Sequence, residues 1–295
     1  MPVDRRTLLK TGAGAIAVLP NVFTGSLASA AGTAETLTSF LTGNGYQGFP
    51  QADLITSHSF NGSVAFDYVH DYHANSPTGE PEKWFVLQDC ARVEDIAKKD
   101  KPGVLAYFHV LAFKNNAPAY PGELLDQSLE FLIRQVGFKP SRLLLVSTEK
   151  FRPFLKQLEP FDIAEEQVVF RKLSDARKAG DGSGFFSPKG YPETPKILTA
   201  SFHYMPEGQP MPKTSSYPPG GYFEIGEYAF KDEQAPSSKA EVALFGVERM
   251  AMAQGKTAGD FSSSRKRLLA RLEEEAERRD IALPKAYHDF SALYT

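Results

Sequence analysis

The sequence has a single cysteine, Cys90, among its 295 residues. One thiol cannot form an intramolecular disulfide, so the chain has no covalent cross-link of its own even in an oxidising compartment. A lone cysteine of this kind is more often a small buried apolar residue than a nucleophile, and we expect Cys90 to be buried. Stability is therefore expected to come from packing of the core.

The sequence also lacks an excess of basic residues and a second long apolar run. Its 33 Lys and Arg stand against 36 Asp and Glu, which gives a formal net charge of −3. This balance argues against a broad surface for nucleic-acid backbones, which needs clustered Lys and Arg. The apolar stretch near the N-terminus is too short to span a bilayer, so no membrane span is expected. What remains is the composition of a globular protein, 42% hydrophobic and 23% charged.

The first thirty residues have the pattern of an export signal. Arg5 and Arg6 precede the weakly apolar stretch TGAGAIAVLP, and Ala28-Ser29-Ala30 matches an A-x-A cleavage site. These three features together are typical of a twin-arginine secretion signal. We therefore predict a signal peptide over residues 1–30 and a single domain over 31–295. The product is expected to be exported in folded form, to the periplasm or the medium.

The apolar pattern predicts strands and helices without a regular β-α-β alternation. Strands are predicted at 84–93, 104–113, 142–147 and 221–230, and helices near 35–41, 124–133 and 264–279. The Gly- and Pro-rich region 175–220 is expected to form loops. This mixture favours an α+β domain with a mainly antiparallel sheet flanked by helices.

The stretch EVALFGVERMAMAQGK, residues 241–256, places Gly246 shortly before Arg249 and an apolar helical run. It resembles motif 3 of class II aminoacyl-tRNA synthetases, a Gly before an Arg at a strand–helix junction. In that family the Gly lets the backbone approach ATP, and the Arg pairs with the phosphates. A planar guanidinium suits this role because it binds phosphate oxygens bidentately and keeps its charge.

Other segments resemble the catalytic domain of alanyl-tRNA synthetase, in the same order along the chain. QDCAR, residues 88–92, resembles the Q-x-C-x-R that carries the motif 2 arginine, and AYFHVLAF resembles the strand that follows it. Three further segments resemble the family's elements before motif 3, namely its helix, its loop and its last strand. They are, in that order, LLDQSLEFLIRQVGFKPSRLLLVS, GSGFFSPKGYP and FEIGEYAFKDE. The resemblance covers about residues 38–256 and implies a class II synthetase-like fold.

The resemblance further implies an adenylate-forming ligase that uses ATP and Mg²⁺. Arg92 would hold the α-phosphate, and Arg249 would bind the terminal phosphates. Glu224 and Gly246 would line the nucleotide side. The substrate would be a small amino or carboxylic acid whose carboxylate attacks ATP while magnesium offsets the phosphate charge. The sequence does not determine the oligomeric state, and a homodimer is one of the states it allows.

The amino-acid side of the site departs from the family's pattern. Val242 stands where the family has the aspartate that anchors the substrate ammonium, and Glu241 lies next to it. Because neighbouring residues on a strand face opposite sides, Glu241 is not expected to replace the anchor. His109 stands in place of a Glu, and Glu227 in place of an Asn. Little sequence follows motif 3, so we expect no tRNA-recognition or editing domain and no ordinary charging of tRNA.

Two other functions stay open at this point. Export favours a non-catalytic relative that binds an amino acid, a nucleotide or a protein partner, because ATP is scarce outside the cytoplasm. The third candidate is an unrelated exported enzyme with a divalent-metal site, since imidazole and carboxylate groups recur at short spacing. That group consists of Asp67, His70, Asp71 and His73. A thiol–imidazole pair between Cys90 and His109 would need their two strands to adjoin.

Overall fold

A computed structural model describes residues 28–55, 60, 62, 82–92, 99–100, 103–187, 196–212, 217, 220–233, 239–256, 260–285 and 287–288. The paired arginines of the expected export signal and the His/Asp group at 67–73 lie outside the described residues. Within the described part of the chain, no helix is long and apolar enough to cross a membrane.

The described residues form one sheet of nine strands at the centre of the fold. Its strands are β1 Gln47–Gly48, β2 Lys83–Ala91, β3 Tyr107–Asn115, β4 Leu143–Thr148, β5 Val168–Arg171, β6 Phe185–Phe186, β7 Ile197–Tyr204, β8 Phe223–Asp232 and β9 Glu241–Gly246. They lie in the order β1-β2-β3-β9-β8-β7-β4-β5, and β6 pairs with β7. The pairs β1–β2 and β4–β5 are parallel and the others antiparallel. The predicted α+β class with a mainly antiparallel sheet is confirmed.

Helices flank this sheet. They are α1 Ala28–Gly43, α2 Glu123–Leu129, α3 Leu173–Ala179, α4 Val247–Ala253 and α5 Phe261–Arg279. Helix α2 continues as a π-helical turn over Glu130–Gln135, and Gly137 follows it at a φ of 83°. The chain between β4 and β5 forms three 3₁₀-helical segments, Glu149–Gln157, Glu159–Phe161 and Glu165–Gln167.

The helices cover one face of the sheet with an aromatic core, and we call this side the rear face. Phe113 and Phe245 lie on the paired strands β3 and β9, with ring centroids 6.0 Å apart. Phe202 lies on β7, beyond β8, and its ring centroid is 5.7 Å from that of Phe245. Side chains alternate along a strand, so the residues between them point to the opposite side, the front face. Directly paired residues share a face, which places Glu227 with its partner Leu244 on the front.

Helix α5 confirms the predicted C-terminal helix and packs on the rear face beside β3. Its buried side includes Leu268, Leu272 and Ala276. The helix also holds the segment before β2, because the Glu275 carboxylate accepts the backbone N–H groups of Leu54 and Ile55, each at 2.9 Å. Two such charge-assisted hydrogen bonds in a buried position fix this segment against the helix.

The prediction of loops throughout 175–220 is wrong. β7 occupies 197–204, is buried at every residue and lies between β8 and β4. Composition misled the prediction because Gly and Pro on both sides of β7 dominate the wider window. The first helix is also longer than the predicted 35–41, and it includes the expected cleavage point after Ala30.

Candidate functional site

Three segments bring Arg92, Phe108 and Arg249 together on the front face. Phe108 lies near the start of β3, and Arg92 directly follows the paired strand β2. Arg249 lies in the first turn of α4. The guanidinium carbons of Arg92 and Arg249 lie 5.7 Å and 5.1 Å from the centroid of the Phe108 ring. The two arginines are therefore no further apart than the sum of these distances, and we call the three residues the front cluster.

Gly246 makes room for the Arg249 side chain at the strand–helix junction that motif 3 predicts. Its φ of −78° and ψ of 108° are open to any residue. A Cβ at this position, however, would lie 3.3 to 3.4 Å from three carbons of the Arg249 side chain. The glycine is therefore explained by close packing against the arginine and not by backbone strain.

Glu224 is the acidic neighbour of the front cluster. Its Oε2 lies 3.8 Å from Nη1 of Arg249, and 41% of its side chain is exposed. An ion pair this long and this accessible contributes little to stability. The carboxylate and the guanidinium are thus close enough to attract each other while both stay accessible to a ligand.

A polar row that sequence reasoning missed lies on β7. The Ser201 hydroxyl lies 2.9 Å from Nε2 of His203 and donates to the Ser183 hydroxyl at 3.1 Å. Burial lowers the pKa of His203, so this imidazole is neutral at physiological pH. The alternation of polar and apolar residues in ILTASFHY indicates a strand with one polar side. The row was missed because residues 175–220 were predicted to form loops.

Glu227 stands on the front face between β7 and β9, paired with Ser201 and Leu244. Burial raises its pKa to about 8, and the charge of Glu224 adds to the effect. The carboxyl group is therefore mostly protonated near neutral pH and can donate a hydrogen bond. Its Oε2 lies so close to the backbone of Gly182 that a Cβ there would be 2.2 Å away. Gly182 has a φ of 85°, which independently favours glycine.

The departures expected at β9 are found in the structure. Val242 is only 4% exposed and packs with Ile197 and Ala229, so no charged group occupies its place on the front face. Glu241 faces the rear, as its position on the strand predicts. Its carboxylate accepts the backbone N–H groups of Gly122 at 2.5 Å and Leu124 at 3.0 Å.

The hypothesis of a thiol–imidazole pair is wrong, although β2 and β3 do adjoin. In their register Cys90 pairs with Phe108, whereas His109 pairs with Asp89. The thiol and the imidazole therefore point to opposite faces of the sheet. Cys90 is fully buried, and burial raises its pKa, which confirms the expectation of an inert apolar residue.

His109 instead lies at the centre of a charged group on the rear face. Its Nδ1 is 2.6 Å from Oε1 of Glu248, and its backbone N–H donates to Oε2 at 2.8 Å. Its Nε2 is 3.2 Å from Oδ1 of Asp89. The other oxygen of Asp89 accepts from Nε of Arg271 on α5 at 3.0 Å. We call these four residues the rear network.

The rear network is held in its charged form. Burial alone would lower the pKa of His109, but the two carboxylates outweigh it and raise the pKa to about 10. Burial would raise the pKa of Asp89, but hydrogen bonds from His109 and Arg271 bring it down to about 2. The pKa of Glu248 is likewise lowered, because the charge of His109 outweighs burial. Two cations thus balance two anions behind the sheet.

The front face has the groups for a phosphate-bearing ligand but no complete metal cage. Within the described ranges, no three His, Cys, Asp or Glu side chains are placed to hold a metal ion. A magnesium ion carried by ATP needs only one or two protein carboxylates, because phosphate oxygens and water supply its other ligands. Glu224 is the accessible front-face carboxylate that fits this requirement, whereas Glu227, which is mostly protonated near neutral pH, does not.

Comparisons with known proteins give likenesses in structure only. No protein-family model and no curated protein sequence matches the chain. The apo histidyl-tRNA synthetase of S. aureus overlays with a TM-score of 0.48 at 13% identity, over 87% of this chain and 80% of that one. The aspartyl-tRNA synthetase of Entamoeba histolytica overlays with a TM-score of 0.37 at 12% identity, over 77% of this chain and 55% of that one. The chain thus spans about half of the second protein.

Proposed function

We propose that this protein is an ATP-dependent, adenylate-forming ligase with a class II synthetase-like core. Its substrate is a small amino or carboxylic acid, and it does not charge tRNA in the ordinary way. The observation that carries the proposal is the front cluster, in which Arg92 and Arg249 reach the same ring of Phe108 from separate elements. The order of the sequence motifs supports it independently.

The front cluster suits ATP for two physical reasons. Guanidinium groups bind phosphate oxygens bidentately and remain charged at every physiological pH. A phenyl ring beside a guanidinium also offers a planar surface, and a purine base stacks on such surfaces. Phe108 and Arg249 would hold the base, and Arg92 and Arg249 together would meet the triphosphate.

In the proposed reaction the substrate carboxylate attacks the α-phosphorus of ATP. The new bond is between a carboxylate oxygen and the α-phosphorus, and the bond from that phosphorus to pyrophosphate breaks. Arg92 stabilises the charge that builds up on the α-phosphoryl oxygens, and Arg249 that on the leaving pyrophosphate. Magnesium, when bound with ATP, supplies further neutralisation of phosphate charge. Glu224 orients Arg249 until the phosphates arrive.

The acid would lie beside the polar row of β7. Ser201, His203 and the protonated Glu227 are neutral hydrogen-bonding groups, which suit the carboxylate of a substrate better than a second carboxylate anion would. The buried Val242 gives no anchor for an ammonium group. Deaminated acids therefore belong in any substrate screen beside amino acids. Export to the periplasm or medium, and a homodimer, remain parts of the proposal.

One observation favours a second function, binding without catalysis. Val242 is packed into an apolar cluster at the place where the resemblance puts the ammonium anchor. A site that kept its phosphate arginines and lost its substrate anchor would bind a nucleotide and leave it unreacted. The two functions differ in a single measurable step, the formation of an adenylate.

The test is ATP–pyrophosphate exchange by the full chain with a panel of amino acids and their deaminated analogues. We expect exchange with at least one acid, reduced at least tenfold in Arg92→Ala and Arg249→Ala. Arg134→Ala, which removes an exposed arginine paired with Glu130, is the matched control and should keep full exchange. ATP binding without any exchange would favour the second function. No ATP binding would refute the ligase and the binding of a nucleotide, and would leave only the binding of an amino acid or a protein partner.

A further inference from the structure

Each residue of the front cluster has a member of the rear network close to it in the chain. Phe108 is followed by His109, and Arg249 is preceded by Glu248. Arg92 follows Asp89 at the end of β2. The same three segments therefore present a ligand-facing group on one side of the sheet and a charged group on the other.

We propose that His109 is a positioning residue, which ties β2, β3 and α4 together behind the sheet and thereby sets the spacing of the front cluster. It is the only member of the rear network that contacts both carboxylates: Glu248 at 2.6 Å and Asp89 at 3.2 Å. Its own backbone is held as well, because the His109 N–H donates to Glu248. One residue thus links all three segments.

The surroundings of His109 leave its two carboxylate partners little freedom. The side chain of Glu248 is fully buried and that of Asp89 is 7% exposed. Asp89 is held further by Gln51, which accepts its backbone N–H at 2.9 Å and donates to its Oδ2 at 3.3 Å. Charged groups in such a place require their partners at short distance, because water cannot replace them.

Removal of the central cation would force the two anions to move apart or to take up protons. Glu248 can move only with α4, and Asp89 only with β2, because both side chains are enclosed. Arg249 directly follows Glu248, and Arg92 lies three residues after Asp89 at the end of β2. A shift behind the sheet would therefore appear in front of it, at the distances from the two guanidinium groups to the Phe108 ring. Such a shift would lower the affinity for a ligand that contacts both arginines, because their spacing would no longer match the ligand.

The coupling itself rests only on the contacts described, whereas its effect on ATP rests on the proposed function. The experiment therefore has two readouts on the full chain. The first is the ring-current shift of the Arg92 and Arg249 Nε–H signals in NMR, with Phe108→Leu as the reference that abolishes it. The second is the dissociation constant for ATP. If His109→Gln loses the ring-current shifts while the wild type binds no ATP, the coupling is upheld and the proposed function is refuted.

In His109→Gln we expect both ring-current shifts to fall by at least half and ATP to bind at least tenfold more weakly. Glu275→Gln is the matched control, because it also alters a buried carboxylate site on the rear side but touches no member of the rear network. It should lose stability and keep both shifts. A His109→Gln protein that folds and keeps both shifts would overturn the proposal.

Arg271→Gln provides a second route if His109→Gln does not fold. It loosens only the Asp89 end of the network, so the Arg92 shift should fall while that of Arg249 stays. Such asymmetry is not expected from a general loss of stability, which would affect both signals alike. Equal retention of both shifts in Arg271→Gln would contradict the proposal.

Discussion

Glu241 and Val242 are neighbours on β9, and their side chains serve opposite faces of the sheet. The rear carboxylate of Glu241 accepts two backbone N–H groups at the start of α2, which stabilises the entry of that helix. The front side chain of Val242 fills an apolar cluster. A shift of one residue in this strand would exchange their roles, so the strand register decides whether a charge faces the ligand.

Glu241→Gln should therefore lower stability without affecting ATP binding. Gln offers one carbonyl oxygen where Glu offers two, so one buried N–H group loses its acceptor, at a cost of about 1–3 kcal/mol. Urea unfolding measures this loss, and the exposed Glu277→Gln is the control. A stability equal to that of the wild type would contradict the role of the Glu241 carboxylate as acceptor of the two backbone N–H groups at the start of α2.

The charge of His109 makes the stability of the folded protein depend on pH. Its pKa is raised from 6.5 to about 10 in the folded protein. A raised pKa means stabilisation that is complete below the unfolded value and disappears as the pH rises through the folded one. Glu248, Asp89, Arg271 and the nearby Tyr107 are the groups that face it.

We therefore expect the difference in unfolding free energy between wild type and His109→Gln to be largest below about pH 6.5 and to shrink towards pH 10. Glu227 titrates in the same range in both proteins, so its contribution cancels in the difference. Urea unfolding at pH 6, 8 and 10 provides the measurement. A difference that stays constant over this range would show that His109 is not charged in the folded protein.

At the scale of elements, the sequence predicts strands and helices wherever the apolar period is local. The helix after Gly122 and the C-terminal helix α5 follow from the helical spacing of apolar residues. The strand–helix junction at Gly246 follows from the resemblance to motif 3. β7 does not, because its flanks are rich in Gly and Pro, and its burial depends on pairing with two strands distant in sequence. The π-helical turn after α2 has no sequence signal that we recognise.

Helix α5 provides a prediction at this scale. The Asp260 side chain accepts the N–H of Ser263 at 2.7 Å and caps the N-terminus of the helix. Asp260→Ala should cost about 1 kcal/mol of stability, whereas Asp260→Asn should cost much less, because Asn caps nearly as well. Urea unfolding of the two variants checks this, and equal losses would show that the cap does not stabilise the helix.

At the scale of the whole molecule, the sequence predicts the two arginines of the front cluster but neither Phe108 nor the rear network. Arg92 and Arg249 can be chosen from motifs, because each stands in a short recognisable string. The contact between Asp89 and His109 depends on the register of β2 against β3, and that with Glu248 on how α4 crosses behind them. Neither register nor crossing can be read from local residue patterns.

The central claim is that ATP binds at the front cluster, and calorimetric titration of the full chain with ATP and Mg²⁺ tests it most directly. We expect saturable binding of one ATP per chain, at least tenfold weaker in Arg92→Ala and in Arg249→Ala. Tenfold corresponds to about 1.4 kcal/mol, within the range of a single charge-assisted contact. Arg134→Ala should bind as the wild type does. No saturable binding by the wild type, or full binding by both front-cluster variants, would contradict the claim.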